Sequence, residues 1–197
     1  MKDRKEYIIR KAMELYALNG YENVSITDLQ YALDIGRGTL YYYFKDQDEL
    51  FGVCIEKYFL EPKQSALNSV NNDVLVEQMI QAIMSYLGGL ENALMTFTDK
   101  RINTGNVNNL MFNAYTRFPA LHRKAQRLAL KEVDLWRMAI RNSQRAGIVR
   151  YGIDIDLIAL MFSHIKDSYD SGLGRTQMDF TLLERTYDAL YDLIKIS

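Results

Sequence analysis

A single cysteine, Cys54, excludes an intrachain disulfide framework. Only two histidines, His122 and His164, stand beside it, too few for a zinc-ligand spacing. Cys54 lies in a helical stretch between Val53 and Ile55, which predicts a buried small apolar residue rather than a redox sensor. Two prolines in 197 residues leave room for long helices. No run approaches 18 uninterrupted apolar residues, so no membrane span is expected. The charged, interrupted start MKDRKEYIIRKAMELYALNG does not read as a secretory signal. A cytoplasmic chain is expected. There is no glycine-rich loop followed by a lysine and no nucleophile elbow. Asp154-Ile155-Asp156 lacks the oxygen-ligand register of a calcium loop and reads as a loop and helix cap. These absences predict no enzyme, no catalytic residue, no cofactor and no metal. Basic charge is scarce too: the net charge is -1, and residues 1–60 hold 8 Lys/Arg against 10 Asp/Glu. That balance predicts weak non-specific binding to any nucleic acid.

What is present is ordinary globular composition, 48% hydrophobic and 25% charged, with an apolar pattern of helical period almost throughout. Residues 3–18 carry Ile8, Ile9, Ala12, Leu15, Tyr16 and Leu18 on one stripe, and Asn19-Gly20 ends that helix. A helix from about Gln47 runs through Leu50, Phe51, Cys54, Ile55, Tyr58 and Phe59, with Pro62 expected to kink or end it and residues 68–73 to form a loop. Residues 74–94 predict a helix whose Gly88-Gly89 pair marks a close crossing, a kink beside a pocket, or its end. Residues 99–109 read as a polar loop, 110–115 as a short helix, and 120–146 as a long helix ended by Gly147. Its basic residues alternate with apolar ones on several sides, as on a partly exposed structural helix rather than a second nucleic-acid face. Two helices, 156–169 and 178–196, close the chain around a loop holding Gly172 and Gly174.

The most informative stretch is Ser25 to Leu50, SITDLQYALDIGRGTLYYYFKDQDEL. Ser25 with Asp28 has capping-box spacing ahead of Leu29, Ala32 and Leu33. Asp34-Ile35-Gly36 breaks that helix, and Arg37–Phe44 resumes with Leu40 and Phe44 on one face. Asp46 and Glu49 form a second capping-box pattern. Two short helices joined by a tight turn make a helix-turn-helix, whose second helix can enter a DNA major groove.

From Gly20 to Phe51 the string closely resembles the DNA-binding signature of TetR-type transcriptional regulators. The resemblance runs through Gly20-Tyr21, Ser25-Ile26, Leu29, Ile35, Gly38-Thr39-Leu40-Tyr41, Phe44 and Glu49-Leu50-Phe51. It implies an all-α fold: a three-helix DNA-binding domain over residues 1–46, joined by a helix to a helical effector-binding and dimerisation domain over 47–197. It implies DNA contacts at Thr27, Arg37, Gly38, Thr39, Tyr41 and Tyr42. The sequence departs from the family pattern at Gln30, Leu33, Asp34 and Gly36, and Gln47 stands where a phosphate-facing lysine is usual; Lys45 is the expected substitute.

The same resemblance implies a homodimer through the last two helices, using Leu157, Leu160, Met161, Phe180, Leu183, Tyr187, Leu190 and Ile194. It also implies an effector cavity among the middle helices. Met84, Leu87, Met111, Phe112, Tyr115, Trp136 and His164 are the expected lining, Met95, Phe97 and Phe118 being further candidates. Methionine-rich apolar walls suit a small, mostly apolar effector. The expectation is therefore a dimeric, ligand-responsive regulator, a repressor on a palindromic double-stranded DNA operator. The competing reading is a helical ligand-binding or protein-interaction module that does not recognise DNA.

Overall fold

The computed structural model describes residues 2–96, 104–170 and 179–196. Phe97, the stretch 99–103, Gly172 and Gly174 lie outside the described residues. The elements are α-helical, as the periodicity predicts: α1 Lys2–Asn19, α2 Ile26–Leu33, α3 Arg37–Tyr43, α4 Gln47–Ile55, α5 Glu61–Ser69, α6 Val76–Met95, α7 Thr104–Arg117, α8 Pro119–Arg145, α9 Ile155–Asp170 and α10 Phe180–Ile194. The chain separates into two compact units, one of residues 1–61 and 90–123, the other of 62–89 and 124–197.

In the first unit, α1 buries Ile8, Ile9, Ala12, Met13, Tyr16 and Ala17. They join Leu29 and Leu33 of α2, Leu40 of α3, Phe44, and Leu50, Phe51, Cys54 and Ile55 of α4 in one core. Gly20 ends α1 at φ 80°, a left-handed angle that costs a glycine nothing. Ser25 caps α2 through a complete capping box: its Oγ accepts from Asp28 N–H at 3.2 Å, and Asp28 Oδ2 accepts from Ser25 N–H at 2.8 Å. The second pattern is only half formed. Asp46 Oδ1 accepts from Glu49 N–H at 2.8 Å, but the Glu49 carboxylate takes Lys45 N–H, at 2.6 Å, instead of its cap's own amide. Asp34 closes α2 in the left-handed region at φ 50°, where a short polar side chain serves nearly as well as glycine.

Three expectations are corrected. Pro62 does not end the linking helix; α4 passes through a π-turn over Glu56–Leu60 into α5, which reaches Ser69. There Glu61 N–H donates to the Glu56 carbonyl, five residues back, so the helix changes register just before the residue that lacks an amide proton. Gly88-Gly89 does not end α6 and marks no close crossing, because a methyl group on either would meet nothing within 4 Å. The polar stretch before Leu110 is helical from Thr104. Val107, Leu110, Met111 and Ala114 give it an apolar stripe that packs on the first unit's core, and this tertiary gain overrides the poor helix propensity of Asn and Gly.

The second unit packs α10 through Leu183, Tyr187, Leu190 and Ile194, all buried, beside buried Trp136 and Ile140 of α8 and Phe162 of α9. The rings of Trp136 and Phe162 stack at 4.5 Å, and those of Trp136 and Tyr187 at 5.9 Å. Gly147, at φ 70°, turns the chain after α8. Val149 and Lys195 then form an antiparallel bridge, with Arg150 N–H on the Ile194 carbonyl at 3.0 Å. Asp154 Oδ1 accepts from Leu157 N–H at 3.0 Å, the helix-cap role expected of it.

Candidate nucleic-acid interface

Burial of Leu40 and Phe44 fixes the rotation of α3, because the side carrying them must face the core. Of the rest of that short helix, Tyr43 packs partly against the core and most other positions are turned outward. Arg37, Gly38, Tyr41 and Tyr42 are exposed, as are Thr27 on α2 and Lys45 after α3; Thr39 is half-buried. All seven residues singled out for DNA contact therefore lie on or beside one outward-facing helix pair. The Arg37 guanidinium sits over the Tyr41 ring at 5.5 Å, one turn on, which holds the cation at the exposed surface with no acidic partner among the described residues. Tyr42 and Tyr43 meet edge to face at 4.9 Å. Gly36 and Gly38 have open space where a side chain would begin, so nothing inside the chain requires their bareness. A surface that must approach another backbone closely does require it.

Beside this face, Thr27, Gln30, Tyr31, Asp34, Ile35 and Gly36 line an open groove of about 410 Å³. Tyr31 is 90% exposed. Sequence reasoning passed over Tyr31; its signal was an aromatic residue placed off the Leu29/Leu33 stripe of α2. Gln47, where a phosphate-facing lysine is usual, is committed internally, its Nε2 donating to the Val24 carbonyl at 2.5 Å. Tyr21 donates its hydroxyl to Asp48, tying the turn before α2 to α4, and burial and that carboxylate both raise the phenol's pKa. Lys45, 86% exposed, lies on the outer surface with its Nζ 3.9 Å from Asp46 Oδ2. The head is supported from α7, where Arg117 pairs with Glu22 at 2.5 Å and lies over the Tyr21 ring at 5.0 Å.

The residues expected to line an effector cavity have different fates. Met111 and Tyr115 pack on the first unit's core, and Phe112 is 66% exposed. Met84, Leu87, Trp136 and His164 belong to the second unit. Trp136 is closed inside the ring stack, and His164 is exposed on α9 with Nδ1 on the Leu160 carbonyl at 2.8 Å. The recess the second unit does contain lies elsewhere, bounded by Lys63, Leu67, Ile83, Tyr86 and Glu132 among others. Cys54 is fully buried, its thiol donating to the Ile9 carbonyl at 3.5 Å and its pKa raised by burial, as befits an inert core residue. Among the described residues no three His, Cys, Asp or Glu side chains gather as a metal site, and no helix is long and apolar enough to cross a membrane.

An N-terminal helix-turn-helix with an exposed second helix, followed by helices over the rest of the described residues, is the class of fold whose second helix can enter a DNA major groove. Residues 8–54 match the model of the bacterial regulatory proteins, tetR family. Solved structures repeat the fold over nearly the whole length. PfmR, a TetR family transcriptional regulator from Thermus thermophilus, is 17% identical with a TM-score of 0.65, covering 94% of this chain and 97% of its own. A TetR family regulator from Cytophaga hutchinsonii is 16% identical at 0.66, over 98% and 95%. A candidate transcriptional regulator from Saccharomonospora viridis, solved in complex with choline, is 16% identical at 0.71, over 100% of both chains. Among curated proteins no relative matches.

Proposed function

We propose that this chain is a TetR-family regulator, a dimeric repressor that binds a palindromic double-stranded DNA operator in the cytoplasm and responds to a small-molecule effector. The observation that carries the DNA reading is the rotation of α3: its core-facing residues are Leu40 and Phe44, which leaves Arg37, Gly38, Tyr41 and Tyr42 outward. Residues 1–46 are the DNA-reading head in this proposal, and 47–197 the controlling and dimerising part. Arg37 is assigned a base-edge or nearby phosphate contact. Thr27, Thr39, Tyr41, Tyr42 and Lys45 are assigned the backbone, with Tyr31 added to them, and Gly38 is assigned close approach. Arg37→Ala is expected to weaken operator binding by about 1–3 kcal/mol, and Tyr41→Phe by less, with folding unchanged. The operator is first obtained by selection from random duplexes, and affinities are then measured by gel shift. Equal affinity for wild type and both variants would remove these contacts.

The dimer face is assigned to α9 and α10, with one adjustment. Leu183, Tyr187, Leu190 and Ile194 are consumed by the chain's own core, so they have no surface to offer a partner. Leu157, Leu160 and Met161 on α9 are 53%, 46% and 45% exposed at helical spacing, with His164 one turn further on the same side. Thr186, Ala189 and Leu193 form the corresponding outer strip of α10. Two such helix pairs, packed across a two-fold axis, would present two α3 helices to successive major grooves. Leu160→Glu is expected to yield monomers in sedimentation at micromolar concentration, with operator binding weakened at least tenfold. A variant that stays dimeric places the interface elsewhere.

That a protein of the same fold was solved in complex with choline supports a small-molecule effector, without carrying the ligand's identity or its site over. The competing reading, a helical module without DNA recognition, draws on the internal use of Gln47 and predicts that selection returns no enriched duplex.

A further inference from the structure

Residues 1–60 hold more acidic than basic side chains, yet the structure uses the two kinds differently. Glu14 pairs with Lys11 at 2.8 Å, Glu22 with Arg117 at 2.5 Å, and Glu6 with Lys57. Asp28 accepts from Ser25 N–H, Asp46 from Glu49 N–H, and Glu49 from Lys45 N–H. These three stand at helix starts, where amides and the helix dipole offset a negative charge. Asp48 takes the Tyr21 hydroxyl. Asp34 lies before α3, at the other end of that helix from Phe44. By contrast Arg4, Lys5 and Arg37 are exposed and have no acidic partner among the described residues. The surface around the end of α3 is therefore more positive than the composition of this segment.

Lys5 is the one of these cations whose place the core fixes. Ile8 and Ile9 are buried, and Lys5 stands three and four residues before them, on the same side of α1 and one turn earlier. Its stem leans over the rim of the first unit's core, and Nζ lies over the Phe44 ring, 5.3 Å from the centroid. Phe44 caps the C-terminal end of α3, and Lys45 follows directly, exposed, with Asp46 Oδ2 at 3.9 Å. Two cations from separate elements thus lie beside Phe44. Covering that ring accounts for a long side chain at position 5, since an apolar residue would cover it equally well. It does not account for the charge, which has no use inside the unit. Lys5 also sits at the base of α3 and not on its outward face. When α3 enters a major groove, this ammonium stays at the groove's edge, where the phosphates lie.

We infer that Lys5 is a further DNA contact, a phosphate clamp supplied by α1 beside Lys45 at the end of the reading helix. The inference rests on the DNA reading of the chain and adds to it a helix that the reading does not use. An ammonium is a point charge with rotatable donors, suited to a phosphate and indifferent to base sequence. The Phe44 ring that carries it is also the ring that anchors α3 in the core, so the clamp and the reading helix keep one register.

The test is a salt titration on the full chain. The duplex selected from random DNA, and a scrambled duplex of the same length, are bound by wild type and variants between about 50 and 200 mM salt, followed by fluorescence anisotropy. Lys5→Met keeps an unbranched stem on Phe44 and removes the charge. Its slope of log affinity against log salt is expected to be about 0.9 shallower for each protomer bound. At about 100 mM salt its affinity is expected to fall at least fivefold, for selected and scrambled duplex alike. Lys5→Arg is expected to restore both quantities, and all variants to melt within about 2 °C of wild type. Lys5→Gln is measured alongside, so that a folding defect in one variant leaves the slope readable in the other. An unchanged slope overturns the inference, and so does a loss confined to the selected duplex, which would be a base contact. A lowered melting temperature with an unchanged slope would assign Lys5 to packing on Phe44 alone. A wild-type chain that selects no duplex removes the DNA reading and the clamp with it; wild-type binding with a slope indifferent to Lys5 removes only the clamp.

Discussion

Glu132→Gln is expected to destabilise the second unit by about 3–5 kcal/mol at neutral pH, because it strips the common counter-charge from two lysines that are themselves mostly buried. The single tryptophan, Trp136, stacks inside the same unit, so its fluorescence during urea unfolding reports this unit selectively. The pH dependence provides a second reading. Burial pushes the Glu132 carboxyl upward, but Lys166 and Lys63 more than offset it, and the net pKa lies below the ordinary value. A carboxylate whose folded pKa is depressed contributes stability that is fully present above its unfolded pKa, about 4.3, and lost as pH falls through the folded value. The gap between wild type and Glu132→Gln should therefore be full at pH 7 and shrink on acidification below about pH 4. A gap that stays constant from pH 7 to pH 3 would show that the ion pairs are not its source.

Phe51→Ala is expected to destabilise the first unit by about 3–5 kcal/mol and to abolish operator binding, although Phe51 touches no DNA in the proposed interface. The ring is fully buried and lies 5.2 Å from Tyr16, 4.3 Å from Tyr21 and 5.9 Å from Phe118, joining α1, the turn before α2, α4 and the end of α7. Removing it opens a cavity where these elements meet, and α3 keeps its outward rotation only while that core holds. Circular dichroism melting combined with gel shift measures both effects. Melting within about 1 kcal/mol of wild type, or retained operator affinity, would show that the head is held by residues 1–46 alone.

Much of the helix-turn-helix was legible in the sequence because its determinants are local. Ser25 with Asp28, the Asp34-Ile35-Gly36 break, and Leu40 with Phe44 act within a few residues of one another. Capping, left-handed tolerance and helical period therefore announce them directly. The misread parts depend on distant partners. Residues 104–109 look like a loop until Val107 and Leu110 find the first unit's core. Glu49 has the spacing of a capping box but spends its carboxylate on Lys45. Pro62 reads as a helix terminator, and the π-turn that accommodates it leaves no signature in composition.

The C-terminal half shows the same division. Periodicity found the apolar stripe of α10 but could not say whether its own chain or a twin would cover it. Leu183, Tyr187, Leu190 and Ile194 proved to be core, and the outward strip falls on Thr186, Ala189 and Leu193. Glu132, Lys63 and Lys166 are separated by 69 and 34 residues, and each looks like an ordinary surface charge of a helical protein. The sequence by itself determined the helical class, the helix-turn-helix and the residues that α3 turns outward, since each follows from dihedral preference and short-range period. Only the tertiary structure decided which apolar stripes remain free and which charges meet in the interior. Burial is a property of what lies opposite a residue, and the chain does not write that next to it.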